Sequence, residues 1–237
     1  LFNQHIIPEV KNNIRLNTEV TEINHSSEQL QVSTKSNGNY ISDKIILTVP
    51  ITILQDEDIN FIPKLPTEKT SSFAKIGMGA GMKVFLKFSQ TFYDGNIIGG
   101  KICAAYADER EGKTGQDHVL LAFIMGEQAE YLSNLNTDLE IVNELLQELD
   151  LMYNGKATQY FEKAHVQDWT KSPFIRGAYS YSKVGIGNAR SIAAESINDR
   201  IFFAGEAFNL NGHHQTVHGA AESGIEAVAA IFRTIKT

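Results

Sequence analysis

No part of the sequence narrows the possible folds as much as "DRIFFAGEAFNLNGHHQTVHGAAESGIEAV" (199–228). Residues 199–207 read as a short buried strand ending in glycine. Residues 216–235 read as a helix whose inner face is Val217, Ala220, Ala221, Gly224, Val228, Ile231 and Ile235, which recur at helical spacing. That face is made largely of small residues, so a neighbouring strand or ligand can approach it closely. A strand, a glycine turn and a helix start in succession also present unpaired N–H groups at the positive end of a helix. Such an end suits an anion or an electron-rich carbonyl. A helix laid on a strand in this order belongs to the α/β class, here of mixed α+β kind.

The first fifty residues supply strands. "IRLNTEVTEIN" (14–24), "QLQVSTKS" (29–36) and "YISDKIILTVP" (40–50) are rich in Val, Ile and Thr. Asn37-Gly38 between the last two is a hairpin signal, because both residues tolerate positive φ. Pro50 closes the third strand, having no N–H for a ladder. Beyond it, "INFIPKLPTEKTSSFAKI" predicts a short helix after two prolines. "GMKVFLKF" (81–88) alternates, with Val84, Leu86 and Phe88 on one side and Lys83, Phe85 and Lys87 on the other. The continuous apolar run "HVLLAFIMG" (118–126) predicts a buried strand. The clearest helix is "TDLEIVNELLQELDLMY", with a Thr137/Glu140 capping box and an apolar stripe of Leu139, Val142, Leu145, Leu146, Leu149 and Met152. There is no internal repeat and no low-complexity linker.

Chemistry-bearing residues are few. His213, His214 and His218 could offer imidazoles, but no cysteine is near and H-E-x-x-H is absent, so no metal is assigned. Lys83 follows "GMGAGM" on a largely apolar strand and points either to water or into a cavity with Phe85. Gly77, Gly79 and Gly81 make no G-x-G-x-x-G fingerprint, and none occurs elsewhere in the chain. Trp169, Phe174, Tyr179 and Tyr181 cluster in a loop-like segment and could either lid a core or wall a planar or cationic ligand. A net charge of −7 argues against nucleic acid as the main partner. The single cysteine, Cys103, excludes an internal disulfide and fits a reducing compartment, with the cytoplasm favoured. No apolar stretch approaches the ~18 residues of a membrane span. The sequence opens on Leu1 without a signal-like segment, so the chain is expected to start inside a longer reading frame or after a cleavage.

Taken in order, "LNTEVTEIN", "KIILTVPITIL", "INFIPKLPTEK", "IGMGAGMKVFLKF", "DW…RGAYSYSKVG" and "RIFFAGEA…QTVHGAAESGIEAV" resemble the flavin-containing amine oxidase family. That family includes monoamine oxidases, polyamine oxidases and lysine-specific histone demethylases. The likeness runs over essentially the whole chain but corresponds only to the C-terminal half of such an enzyme. The glycine fingerprint and ribose carboxylate of the family's N-terminal half are missing here.

The resemblance implies FAD as cofactor and an amine as substrate. It assigns Val20 to the adenine end, Pro50 to a strand end facing the cofactor, and Gly205 and Glu206 to the ribityl and pyrophosphate contact. Val217 would point its N–H at the flavin's pyrimidine oxygen, and Lys83 would hold a water near flavin N5. Trp169 and Phe174 would line the flavin and substrate cavity, while Tyr179 would form one wall of the amine cage and Thr216 stand at the other. The implied reaction is hydride transfer from an amine to flavin N5, giving an imine, with dioxygen reduced to hydrogen peroxide. The expected architecture is a partial FAD-binding, Rossmann-like domain (1–50 and 196–237) with a substrate domain (51–195), a mixed β-sheet flanked by helices. The isolated chain is expected to be inactive without an N-terminal half or subunit carrying the dinucleotide-binding motif. The alternatives are an amino-acid oxidase or other flavin oxidoreductase, for which Arg176 and Arg190 could meet a carboxylate, and a non-catalytic truncated subunit.

Overall fold

The structure, a computed structural model, describes residues 4, 6–36, 38–110, 112 and 117–235. Strands β1 (Val20–Asn24), β2 (Leu30–Thr34), β3 (Asn39–Ser42), β4 (Ile45–Leu47) and β5 (Asn60–Ile62) come first. β1, β2 and β3 form an antiparallel meander, and β5 adds parallel to β1 on its other side. The expected first strand starts only at Val20, because Asn17 adopts a left-handed conformation with φ 54° that breaks the extension. Gly38 has φ +82° at the β2–β3 turn, whereas Asn37 lies outside the described residues. The expected strand over 40–50 divides in two. β3 stays in the exposed hairpin, while the wholly apolar β4 leaves it to pair in parallel with β13 (Ile201–Phe203). A run of Ile and Leu without alternation suits such a parallel pair, which is normally covered on both faces.

The second sheet is antiparallel, in the order β11 (Phe161–Asp168), β7 (Gly81–Phe88), β10 (His118–Met125), β9 (Ala105–Asp108) and β8 (Ile97–Ile98). On one face Val84, Leu86, Leu120 and Ala122 are wholly buried against Leu145 and Leu149 of the helix Asp138–Tyr153. β10 is not buried on both faces as its apolar run suggests. It alternates, leaving Phe123 39% exposed opposite Lys83. The capping box forms as expected, with Thr137 Oγ1 accepting from Glu140 N–H at 3.2 Å. The buried stripe of that helix is rotated, however. Leu139 and Met152 are exposed, and Ile141 and Glu148 take inner positions. Glu148 accepts from the amides of Lys101 (2.6 Å), Ile102 (2.8 Å) and Cys103 (3.1 Å) and from Tyr106 Oη (2.8 Å), pinning the loop that precedes β9.

A short ribbon pairs β6 (Ile76–Met78), which follows the helix Thr67–Lys75, with β12 (Ser180–Ser182), which lies beyond β11 in sequence. A Cβ on Gly77 would overlap the Tyr181 ring, and one on Gly81 would overlap Ala178, so these glycines serve close packing. The apolar residues of 51–76 share one core with Ile23, Leu30, Ile201 and Phe203, whereas residues 80–166 build the other. Lys69, buried between the helices Thr67–Lys75 and Ala189–Ala194, donates to the carbonyls of Ile192, Ala193 and Glu195.

The final helix, Val217–Ile235, turns the opposite way from the expectation. Gly219, Ser223 and Ala227 are buried, while Val217, Ile225, Val228, Phe232 and Ile235 form an exposed apolar stripe. Small side chains let the helix settle onto β13 and its following turn, where Ser223 Oγ accepts from Gly205 N–H at 2.8 Å. Among the described residues no helix is long and apolar enough to cross a membrane.

Candidate active site

β13 runs into Gly205, whose φ of +135° is strained for any residue with a side chain. The turn presents Glu206, and its carboxylate is held on both oxygens. Oε1 accepts from Ser180 N–H at 2.9 Å, and Oε2 accepts from Ser180 Oγ–H at 2.8 Å and Gln215 N–H at 2.7 Å. Arg190 sits behind this group, 7% exposed, donating through Nη1 to Ser180 Oγ (3.0 Å) and the Ala207 carbonyl (2.8 Å). Burial lowers the guanidinium's pKa from its ordinary value, and the charge of Glu206 opposes that shift.

Gln215 leads into the helix with φ +66°. Thr216 then caps it: Oγ1 accepts from Gly219 N–H at 3.0 Å and donates to the His213 carbonyl at 2.7 Å. Among the described residues the amides of Val217 and His218 meet no acceptor, and Val217 is 90% exposed. His213 Nδ1 lies 2.8 Å from Glu222 Oε2 and its ring 5.0 Å from that of His218. Burial, followed by the charge of Arg190, lowers the pKa of His214. No group of three or more potential metal ligands occurs among the described residues.

The second cluster lies on the open face of the antiparallel sheet. Lys83 Nζ is 5.7 Å from the ring centres of both Phe123 and Trp169, a cation flanked by two π faces. Trp169 is fixed by its backbone, donating to the Gly81 carbonyl (3.2 Å) and accepting from Gly177 N–H (3.2 Å). Tyr179 Oη reaches Met125 Sδ at 3.5 Å, and burial raises the phenol's pKa. Phe123 and Met125 escaped the sequence reading because they sit in an apolar run. The period-two register with Lys83 and Gly81 is the signal that places them on this face.

The structure thus groups Gly205, Glu206, Thr216 and Val217 on one unit and Lys83, Trp169 and Tyr179 on another. Ser180, adjacent to Tyr179, bonds Glu206 and links the two. Pro50 lies just beyond β4, at the head of the helix Ile51–Gln55, on the side where Ala204 N–H donates to the Leu47 carbonyl. Val20 opens β1 opposite Thr34, and Phe174 is 64% exposed. Among the described residues no side-chain hydrogen bond or ring contact joins either to these clusters. Arg176 is tied to Asp56 (2.8 Å) and Asp58 (2.6 Å), and Arg190 to Ser180, so both arginines considered for a carboxylate are engaged within the protein.

The family profile described as flavin containing amine oxidoreductase matches residues 3–232. The chain is 31% identical over 234 residues to lysine-specific histone demethylase 1B of Mus musculus, covering 92% of this chain and 27% of that protein. It is 31% identical over 222 residues to probable polyamine oxidase 4 of Arabidopsis thaliana, covering 90% and 43%. Among solved structures, cyclohexylamine oxidase from Brevibacterium oxydans IH-35A superposes with a TM-score of 0.82 at 20% identity, over 98% of this chain and 52% of that one. Wild-type putrescine oxidase bound to putrescine gives a TM-score of 0.83 at 20% identity, over 95% and 51%. At that identity the likeness speaks to the fold. The chain therefore spans about half the length of these solved chains and a smaller share of the demethylase.

Proposed function

Because the chain belongs to the flavin-containing amine oxidoreductase family, we propose that it is the C-terminal portion of an FAD-dependent amine oxidase that converts an amine to an imine. Bound FAD would supply the acceptor for a hydride from the carbon beside the amine nitrogen and a route for the electrons to dioxygen, giving hydrogen peroxide. The residues present fit that group: two amides without an acceptor stand at the start of the final helix, where an electron-rich edge is stabilised. Gly205, Glu206 and Val217, with Val20, Pro50 and Trp169, are assigned to hold it.

Tyr179 and Thr216 would flank the amine, with Phe174 lining the cavity and Lys83 holding a water at the reacting face. The observation that carries this reading is the Lys83 ammonium, 5.7 Å from the centres of both Phe123 and Trp169 on the open face of the sheet. A neutral amine that gives up a hydride needs no general base, so these residues orient and desolvate the amine. Water then hydrolyses the imine.

The reading divides the chain into a discontinuous FAD-binding part (1–50 and 196–237) and a substrate domain (51–195). It also calls for an N-terminal half carrying the dinucleotide-binding motif. Two features support such a partner: a parallel sheet that has two strands, β4 and β13, among the described residues, and the outward apolar stripe of the final helix. The test is to mix the chain with FAD, with and without a polypeptide carrying that half, remove free flavin, and assay amines and amino acids for peroxide. Retained flavin and peroxide from amines are expected in the mixture alone. Flavin retained by the chain by itself, or peroxide from amino acids and not from amines, would overturn the reading.

A further inference from the structure

The walls assigned to the amine, Tyr179 and Thr216, lie on separate segments, and each has a sequence neighbour bound to the same carboxylate. Ser180 follows Tyr179 and gives Glu206 both its amide and its hydroxyl proton, while Gln215 precedes Thr216 and gives its amide. Gln215 Nε2–H donates back to the Ser180 carbonyl at 2.9 Å, closing the ring. All three donors point at Glu206, whose two oxygens act as acceptors throughout the ring. The guanidinium of Arg190 can only donate. Its bond to Ser180 Oγ therefore commits that hydroxyl's one proton to Glu206.

Two costs show that this arrangement is imposed on the backbone. Gln215 holds φ +66°, a conformation that costs an ordinary residue about 1–2 kcal/mol and persists where the surroundings over-determine it. Arg190 Nη2 is buried without an acceptor among the described residues, so the cation is only partly compensated. Both are met at one point, the junction of the two segments that carry Tyr179 and Thr216.

We infer that Glu206, acting through Ser180 and Gln215 and backed by Arg190, is a positioning residue that sets the separation of Tyr179 and Thr216 and hence the girth of amine admitted. The inference rests on the proposed reading of those two residues as the walls of the amine site. Its physical core, a carboxylate buckle between two segments, does not depend on any activity.

Incorporation of 3-fluorotyrosine at position 179 of the full chain gives a fluorine NMR signal that reports the wall directly. Glu206→Gln and Arg190→Gln should both move that signal, and Arg190→Lys should return it towards the parent position. Ser180→Ala removes only the hydroxyl and is read in their place should either glutamine variant fail to fold. In the flavin-loaded complex with the N-terminal half, Glu206→Gln should change the ratio of kcat/KM between a slender primary amine and a branched one roughly tenfold. Folded variants whose signal stays at the parent position would overturn the buckle, even with amine oxidation intact. A signal that moves as expected without any amine oxidation upholds the buckle and counts against the proposed function instead.

Discussion

Glu148 occupies a leucine-like position on the helix Asp138–Tyr153, 7% exposed, with three consecutive amides and a phenol directed at it. Replacing one carboxylate oxygen by an NH2 group turns a donor towards groups that themselves donate. Glu148→Gln is therefore expected to lower unfolding free energy by about 2–3 kcal/mol, measured from denaturant midpoints. His214 illustrates the opposite case, a group whose burial and whose neighbour Arg190 disfavour its charge. Its folded pKa lies below the ordinary 6.5, so as pH falls through 6.5 the unfolded chain takes up this proton first. Stability contributed by His214 is complete above that pH and declines below it. His214→Gln should flatten the decline in urea midpoint between neutral and mildly acidic pH. Residue by residue, strand alternation was enough to place Lys83 on the side of β7 away from the core, though not to give it a role. The partners of Glu206 were not legible, since Ser180 lies 26 residues before it and Gln215 nine after, and no local period links them.

At the scale of single elements, the start of the final helix rests on one hydroxyl. Thr216→Val keeps the shape of the side chain but withdraws the acceptor for Gly219 N–H, and should cost about 1 kcal/mol of stability in thermal or urea unfolding. The elements themselves were readable where composition and period agreed, as in β7 and in the capping box at Thr137. They were misread where apolar content was taken for burial on every side. The β10 strand leaves one face open at Phe123, and the final helix buries Gly219, Ser223 and Ala227 while turning its larger residues outward. In both cases the deciding factor is how closely a neighbour must approach, which side-chain hydrophobicity does not encode. The divided strand over 39–47 has the same origin, because each half follows the partner its pattern suits.

For the molecule as a whole, the order of motifs was enough to identify the family. Which surface lies open was not readable from it. The stripe Val217, Ile225, Phe232 and Ile235 is 90%, 70%, 59% and 65% exposed, apolar area of a kind that marks an interaction surface. The chain alone should bind a hydrophobic dye, and Ile225→Lys with Phe232→Glu should abolish that binding while leaving the melting temperature nearly unchanged. The same pair should prevent flavin retention in the mixture with an N-terminal half. The parallel pairing of β4 with β13 carries a further consequence, one of timing. Lys44, at the edge of that pair, meets the carbonyl of Asp199 across 155 positions of chain. A contact of such separation forms late, after the loop entropy of everything between has been offset by local structure. A nascent chain can complete the antiparallel sheet over 81–168 while β4 still waits for a partner not yet synthesised, so β4 becomes ordered only after that sheet.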